Sequence, residues 1–335
     1  MKKKATIHDI AKELNINAST VSRALADSPR VKAKTKDLIR AKALEMGYSR
    51  NHLASNLRRR KTSTIGVIVP NISRFFFSTA IAGMEAIASQ QGYNLIICQS
   101  HDSTEREAQL IETLLAHQVD GLMISIAMDG DDRSHLQRIE DYEKPVVFFD
   151  RACHTIKGHN VLIDDYARAF EATEQLIQKG CKRIVHFAGQ GDVSIYSERI
   201  KGYLAAMAKH GLEVKEEWIM KSRLKKLDGE EMAWKLMSMN PRPDGIFSAN
   251  DIAAISAIDA LREATLSIPE DIKVFGFSGE PISMFTSPNL STVDQNPELM
   301  GNKAAEILLK QINGEEIPDS PTVIESKLVL RQSSN

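Results

Sequence analysis

From residue 64 onwards, short apolar runs rich in β-branched residues alternate with segments long enough to form helices. Buried parallel strands have this continuously apolar character, and helices cover both faces of the sheet that they form. The alternation occurs as two successive series, which predicts an α/β body of two doubly wound parallel-sheet lobes. The runs are TIGVIV, NLIICQ, DGLMIS and PVVFFD in the first series, and RIVHFAG, DGIFSAN and IKVFGFS in the second.

The segment before this body follows a helical period instead. A first helix is indicated by apolar residues on one face, which are Ile7, Ile10, Ala11 and Leu14. Thr6 can cap this helix, with Asp9 in the capping-box position. Asn15 marks a tight turn, because asparagine tolerates left-handed backbone better than most residues. A second helix is predicted from Ala18 to about Ala26.

A third helix completes an all-α head, which we expect to span residues 1–48. Thr35 is predicted to cap this helix, Met46 lies near its end, and Ile39 and Leu44 are expected to complete a small core. Two short helices joined by a tight turn form the helix-turn-helix pattern. A helical hairpin in an unrelated kind of domain is the alternative interpretation.

The overall net charge of −1 conceals a strong asymmetry between the head and the body. Residues 1–61 hold 16 Lys and Arg against five Asp and Glu, a net charge of +11, whereas the rest of the chain holds 27 against 39, a net charge of −12. A basic head indicates nucleic-acid binding, because Lys and Arg replace the counterions condensed on phosphate. A basic disordered tail is the alternative, and the helical pattern of the head argues against it.

The second helix leaves short polar side chains and one arginine for contact with DNA. In helix-turn-helix modules, the amino-terminal part of this helix meets base edges in the major groove. Arg23 can pair bidentately with a guanine, and Asn17 or Ser19 can contact neighbouring bases. Three hydroxyl-bearing residues suit phosphate contacts, which fix register without reading sequence: Thr6, Thr20 and Ser22.

Residues 49–62 are predicted to form a hinge between the head and the body at 63–335. His52 to Arg60 has the spacing of a short helix, which is marginal alone in water. We expect this segment to become ordered against a symmetry mate on DNA, with Leu57 wedged into the minor groove. An ordinary charged linker is the alternative.

The segments TIHDIAKELNINASTVSRAL and GYSRNHLASNLRRRKTSTIGVIVP resemble the lactose-repressor/galactose-repressor family of bacterial regulators. The resemblance extends over essentially the whole chain and implies a homodimer with two heads on a pseudo-palindromic, double-stranded operator. It assigns base reading to Asn17, Ala18, Ser19 and Arg23, and hinge contacts with DNA to Asn51, Ala54 and Leu57. Family members often carry a larger side chain where Ala18 stands, so the operator sequence stays open.

Ligands of open parallel sheets bind at the carboxyl ends of the strands, so the residues after each apolar run are the candidates for a ligand site. Phe76 or Phe77 can form the wall of a small-molecule pocket. Asp150 and Asn250 can accept hydrogen bonds from hydroxyls, and Arg199 can bind hydroxyl or anionic oxygens.

Each of these candidates also has a purely structural interpretation. The two phenylalanines can belong to the core, and Asp150 and Asp251 can simply cap helices. Arg199 can form an ordinary surface ion pair.

For the body, the resemblance implies a periplasmic-sugar-binding type of fold with an effector between the lobes. It places effector contacts at Phe76, Phe77, Asp150, Arg199, Asn250 and Ser278. The lobes are expected at 63–162 with 292–321, and at 163–291 with 322–331. Sugar-binding relatives often have Asp where Ser278 stands and an aromatic residue near Leu224, so a sugar held differently and a more anionic ligand both stay open.

The expected function is therefore a sequence-specific transcriptional repressor, active as a homodimer and controlled by a carbohydrate-type effector. Catalysis is not expected, because Glu280 replaces the last glycine of a nucleophile elbow in GFSGE and GQGD at Gly189–Asp192 lacks the P-loop lysine. We expect no cofactor and no metal site, since the three cysteines form no CxxC pair.

The location and the kind of partner can also be argued from the sequence. With no run of about 18 apolar residues and no signal peptide, the chain is expected to be cytoplasmic and not membrane-bound. A sugar-binding transport protein would need a signal peptide and would lack the basic head. A protein partner in place of a metabolite stays open.

Overall fold

A computed structural model describes residues 5–25, 27–48, 62–130, 132–190 and 194–335. The chain divides into two compact units, residues 1–62 and residues 63–335, each with its own hydrophobic core. The predicted hinge residues Asn51, Ala54 and Leu57 lie outside the described residues.

The head contains three helices, α1 (Ile7–Glu13), α2 (Ala18–Leu25) and α3 (Ala33–Glu45). Thr6 caps α1 as predicted: its hydroxyl accepts a hydrogen bond from the Asp9 amide, and the Asp9 carboxylate accepts one from the Thr6 amide at 2.8 Å. Asn15 is left-handed, with a φ of 51°, which confirms the tight turn between α1 and α2.

The core of the head differs from the sequence prediction at α3. Ile39 is fully buried as expected, but Leu44 is 85 % exposed and Ala43 lies inside. Leu44 follows Ile39 by five residues, which rotates it by roughly 140° around the helix, whereas Ala43 returns to the same face. Thr35 does not cap α3, because the helix begins at Ala33, with Lys32 at the cap position.

Lobe 1 of the body is a six-stranded parallel sheet with the strand order β11-β5-β4-β3-β1-β2. Its strands are β1 (Thr64–Val69), β2 (Asn94–Gln99), β3 (Gly121–Ile124), β4 (Val146–Phe149), β5 (His159–Leu162) and β11 (Thr322–Val323). Its helices are α4 (Phe75–Gln90), α5 (Thr104–Ala116), α6 (Gln137–Asp141) and α11 (Pro297–Asn313). Gly301 lets α11 approach α4 closely, because a Cβ there would overlap the Ala80 carbonyl.

Lobe 2 is a four-stranded parallel sheet with the order β7-β6-β8-β9. Its strands are β6 (Ile184–Gly189), β7 (Ile219–Ser222), β8 (Gly245–Ser248) and β9 (Lys273–Phe275). Its helices are α7 (Asp165–Gln178), α8 (Ser194–Lys209), α9 (Lys226–Met237) and α10 (Asp251–Glu263). The helical head and the two parallel-sheet lobes confirm the predicted fold class.

The chain crosses between the lobes three times, after β5, through β10 (Thr292–Asp294), and through β12 (Lys327–Val329), which pairs antiparallel with β10. The predicted boundary assigned residues from 322 onwards to lobe 2. Because β11 pairs with β5, residues 322–323 extend the sheet of lobe 1 instead. Within the described part of the chain, no helix has the length and apolar character needed to cross a membrane.

Candidate functional site

Helix α2 presents a polar surface opposite its buried side. Val21 and Ala24 pack into the head core, and the predicted DNA-contacting residues of α2 itself lie on the remaining surface. Asn17, Ser19 and Arg23 are exposed, and Ala18, Thr20 and Ser22 are partly exposed. The Thr6 hydroxyl is exposed but already engaged with Asp9 at 2.7 Å.

The acidic group that follows α2 is neutralised within the head. Lys36 Nζ lies 3.0 Å and Arg40 Nη2 lies 2.8 Å from the Asp27 carboxylate. The hydrogen bond and charge of Lys36, with the charge of Arg40, lower the pKa of Asp27 below its usual value. Arg23 forms no ion pair with any described residue, so its charge stays available for a partner such as DNA.

A cavity of about 330 Å³ in the body lies at the carboxyl ends of β4 and β5, where α7 and α8 begin. At this place the Ala152 amide of lobe 1 donates a hydrogen bond of 3.1 Å to Ser194 Oγ of lobe 2. The wall of the cavity is strongly acidic. The lining residues are Asp150, Ala152, His154, Leu162, Ile163, Asp164, Asp165, Tyr166, Ser194, Glu198 and Val323.

Arg199 is buried beside this cavity, with 3 % of its surface exposed. Its Nε donates to Asp165 Oδ1 at 2.8 Å, and Nη1 donates to the Ala249 carbonyl at 2.8 Å. The guanidinium also lies 3.7 Å above the ring of Phe277. Arg199 therefore does form an ion pair, but a buried one, and its Nη2 has no hydrogen-bond partner among the described residues.

Asp165 is a residue of this site that the sequence interpretation missed. Burial raises its pKa to about 6, and the neighbouring Arg199 only partly offsets this effect. The apolar run NVLI, which contains most of β5, was not among the predicted strands. Had it been included, the two aspartates that follow it would have been candidates by the same carboxyl-end rule.

Asp150 is buried at the end of β4 with a left-handed φ of 65°. No helix follows it, so the capping interpretation does not apply. Its carboxylate accepts one long hydrogen bond, from Ser125 Oγ at 3.4 Å, and burial raises its pKa. Arg151 Nε lies 3.7 Å away, buried and without a hydrogen bond among the described residues, while Nη1 of the same residue binds Asp102 at 2.6 Å.

The other predicted effector contacts are differently placed. Asn250 caps α10, with Oδ1 accepting from the Ala253 amide at 2.8 Å, and its Nδ2 donates to the Leu224 carbonyl at 2.9 Å, so both ends of its amide are engaged. Phe76 and Phe77 are buried in the core, with ring centroids 5.1 Å apart. Ser278 is half-buried, with a φ of 135°.

Two family models match the chain. Residues 6–51 match bacterial regulatory proteins of the lacI family, and residues 173–334 match a periplasmic binding protein-like domain. Catabolite control protein A of Priestia megaterium is 31 % identical over 331 residues, which is 98 % of this chain and 99 % of that protein.

Solved structures cover both the head and the body. The complex of the transcriptional regulator CelR with cellobiose is 25 % identical with a TM-score of 0.75, over 98 % of this chain and 99 % of that one. The Lac repressor dimer bound to operator and the anti-inducer ONPF has a TM-score of 0.88 at 22 % identity, over 99 % of each chain. At 22 % identity, the likeness to the Lac repressor concerns the fold alone.

Proposed function

Because the chain belongs to the LacI family of bacterial regulatory proteins, we propose that it is a sequence-specific transcriptional repressor. It acts as a homodimer on a pseudo-palindromic operator, and a small carbohydrate-type effector in the cleft between the lobes sets its DNA affinity. The observation that carries the proposal is the exposed polar surface of α2, where Arg23 forms no ion pair with a described residue, within an amino-terminal region (residues 1–61) of net charge +11.

A selection from random DNA duplexes tests the proposal directly. The full chain, at roughly physiological salt, is expected to enrich a motif with twofold symmetry, because two identical heads read two half-sites. Binding that falls with salt but enriches no motif would show only phosphate attraction and would contradict sequence-specific recognition.

The chemistry of the cleft favours a neutral, polyhydroxylated effector. Arg151 Nε is a buried donor with no hydrogen-bond partner among the described residues, 3.7 Å from an Asp150 carboxylate that accepts only one long hydrogen bond from them. A hydroxyl group can accept from the first and donate to the second. The acidic lining of the cavity opposes a strongly anionic ligand, and CelR, a relative, has been solved with cellobiose.

The effector class can be tested by titrating operator affinity with matched ligands. We expect at least one neutral mono- or disaccharide to change operator affinity by about fivefold or more, the lower end of ordinary allosteric coupling. The corresponding sugar phosphates are the matched controls. A response to the phosphates alone would contradict a neutral effector.

Coupling requires two states of the body with different affinities for effector and for operator. We propose that closure of the lobes changes the spacing of the two hinge segments in the dimer, which moves the heads off their half-sites. The opposite sign, with the effector as corepressor, is equally compatible with this geometry, and the titration above decides between the two. The wedge role of Leu57 is part of this proposal.

Exposed apolar side chains support the homodimer. Ile97, on the edge strand β2, is 42 % exposed, and Phe285 in lobe 2 is 82 % exposed. Exposed apolar patches and open strand edges are typical of surfaces that associate.

The double variant Ile97→Lys/Phe285→Asp is therefore expected to sediment at the 37.3 kDa of one chain, while the wild type sediments as a dimer. Val323→Lys is the matched control, since Val323 is 57 % exposed on the opposite edge strand β11. A double variant that stays dimeric, or a control that dissociates equally, would place the interface elsewhere.

A further inference from the structure

Asp251 is a fully buried carboxyl in the first turn of α10, and it does not cap this helix, since Asn250 does. Its two oxygens accept hydrogen bonds from two other segments. Oδ1 accepts from Thr292 Oγ1 at 2.6 Å, and Oδ2 accepts from the Glu280 amide at 2.8 Å. These contacts do not contribute to capping α10. The carboxyl instead links the two segments that donate to it.

The two segments are the Ser278–Glu280 loop after β9 and the crossing strand β10. Two further hydrogen bonds hold them together, from the Gly279 amide to Thr292 Oγ1 at 3.2 Å and from the Ser278 amide to the Val293 carbonyl at 3.0 Å. Beyond β10 the chain enters lobe 1 as α11. Asp251 therefore lies where a proposed effector contact of lobe 2 meets the connection to lobe 1.

The surroundings of Asp251 are tight. Gly276 faces the carboxyl so closely that a Cβ there would overlap Oδ1. Burial raises the pKa of Asp251 to about 7, and the Glu280 carboxylate adds to the rise. The hydrogen bonds from Thr292 and from the Glu280 amide, and the Arg331 guanidinium, only partly offset it. The carboxyl thus changes charge in the neutral range, in a place where the ionised form is costly to bury.

We propose that Asp251 is a positioning residue that fixes the Ser278–Glu280 loop to the crossing strand β10, and that ionisation of its carboxyl loosens this attachment. A ligand held by the loop then acts on lobe 1 through β10. The ligand in this statement rests on the proposed function, whereas the attachment itself depends only on the contacts described above.

The direction of the pH effect follows from proton linkage. Opening the loop hydrates the carboxyl and returns its pKa towards the ordinary value, so the closed state binds the proton more tightly than the open state. Raising the pH towards 7 therefore favours opening, and the effect levels off above pH 7. Opening becomes up to about tenfold easier per pH unit in this range.

Hydrogen–deuterium exchange of the full chain, without ligand or DNA, measures the attachment. After correction for intrinsic rates, protection of the Gly279 and Glu280 amides is expected to fall at least about tenfold between pH 5 and pH 7.5. Asp251→Asn, a neutral mimic of the protonated acid, is expected to keep the protection and to remove its pH dependence. Asp259→Asn, at an exposed position of the same helix, is the matched control and should behave like the wild type.

Variants that remove the attachment test whether its loss also affects the connection to lobe 1. Asp251→Ala is expected to lower protection at every pH in the loop, in β10 and in the first turn of α11. Thr292→Val, which deletes the hydroxyl between Asp251 and Gly279 but keeps the side-chain shape, should do the same and serves if the alanine variant does not fold. Tryptophan fluorescence of Trp218 and Trp234, both in lobe 2, verifies folding.

A pH dependence unchanged in Asp251→Asn would overturn the role of ionisation. If Asp251→Ala and Thr292→Val lower amide protection only at Gly279 and Glu280, the proposed connection to lobe 1 is wrong. Neither measurement involves DNA or a sugar, so the inference can fail while the duplex selection succeeds, and the reverse.

Discussion

Replacing Arg199 by methionine is expected to destabilise the body by about 3–5 kcal/mol at pH 8 and to abolish the response to effector. Breaking a buried ion pair from one side leaves the other charge without compensation, which is the costly case. Here the Asp165 carboxylate loses its partner at 2.8 Å, and the Ala249 carbonyl loses a donor. Urea unfolding followed by tryptophan fluorescence measures the loss, since both tryptophans, Trp218 and Trp234, lie in the body.

The stability of the Arg199→Met variant should also fall as the pH rises. In the wild type, the pKa of Asp165 is about 6, above that of an exposed aspartate. Without Arg199 this pKa rises further, so the folded state binds a proton that the unfolded state releases, and stability falls as the pH rises through that range. Between pH 6 and pH 8 the variant is therefore expected to lose stability relative to the wild type.

The double variant Arg199→Met/Asp165→Asn separates stability from function. Without the orphaned carboxyl, it should recover most of the lost stability and show no added pH dependence, yet it should still fail to respond to effector. If the single variant unfolds like the wild type at pH 8, the buried pair contributes little and this account of the site is wrong. If the double variant responds normally, Arg199 does not contact the effector.

The α/β body was predictable because buried parallel strands are recognisable from their apolar runs. The sequence interpretation missed the strands for which this signal is weak, each of two to four residues with at least one polar or charged side chain: β5, β7, β10, β11 and β12. β5 (His159–Leu162) begins with two polar residues, and β11 has only two residues and an exposed Val323. Missing β5 also hid Asp165, since a residue becomes a ligand candidate only once the strand before it is known.

In the head, prediction from the sequence was limited by a different factor. The turn at Asn15 and the Thr6 cap follow from local backbone chemistry, and both were predicted correctly. The choice of Leu44 as a core residue relied on side-chain type, although the helical period favours Ala43. In a core this small the geometry of the helix decides which position is buried, even when the inward residue is only an alanine.

The sequence placed side chains near the ligand site but did not show which of their polar groups the protein itself uses. Asn250 follows β8 as expected, yet α10 and Leu224 engage both ends of its amide. Asp150 also follows a strand, and it keeps acceptor capacity because little else in the described structure binds it. A local cap engages one end of the Asn250 amide, but the bond to Leu224 joins segments distant in sequence, and no local pattern encodes that second contact.

In the head, Arg23 is expected to provide the largest single contribution to operator specificity. It is the one arginine of α2, its side chain is exposed, and its charge is not neutralised by a described acid, unlike the charges of Lys36 and Arg40. A bidentate pair with guanine discriminates by about 1–3 kcal/mol against the wrong base. Arg23→Ala should therefore weaken binding to the selected operator by roughly five- to 150-fold, while binding to unrelated DNA changes little.

Two variants turn this expectation into a test of base reading. Arg23→Lys keeps the charge but not the planar fork, so it should lose nearly as much operator affinity as Arg23→Ala. Lys34→Ala removes an exposed cation from the start of α3 and should weaken operator and unrelated DNA alike, as a phosphate contact does. Fluorescence anisotropy with both duplexes at fixed salt measures all three variants. If Arg23→Lys binds the operator as well as the wild type does, Arg23 acts only through its charge, and the head reads bases through Asn17, Ala18 or Ser19 instead.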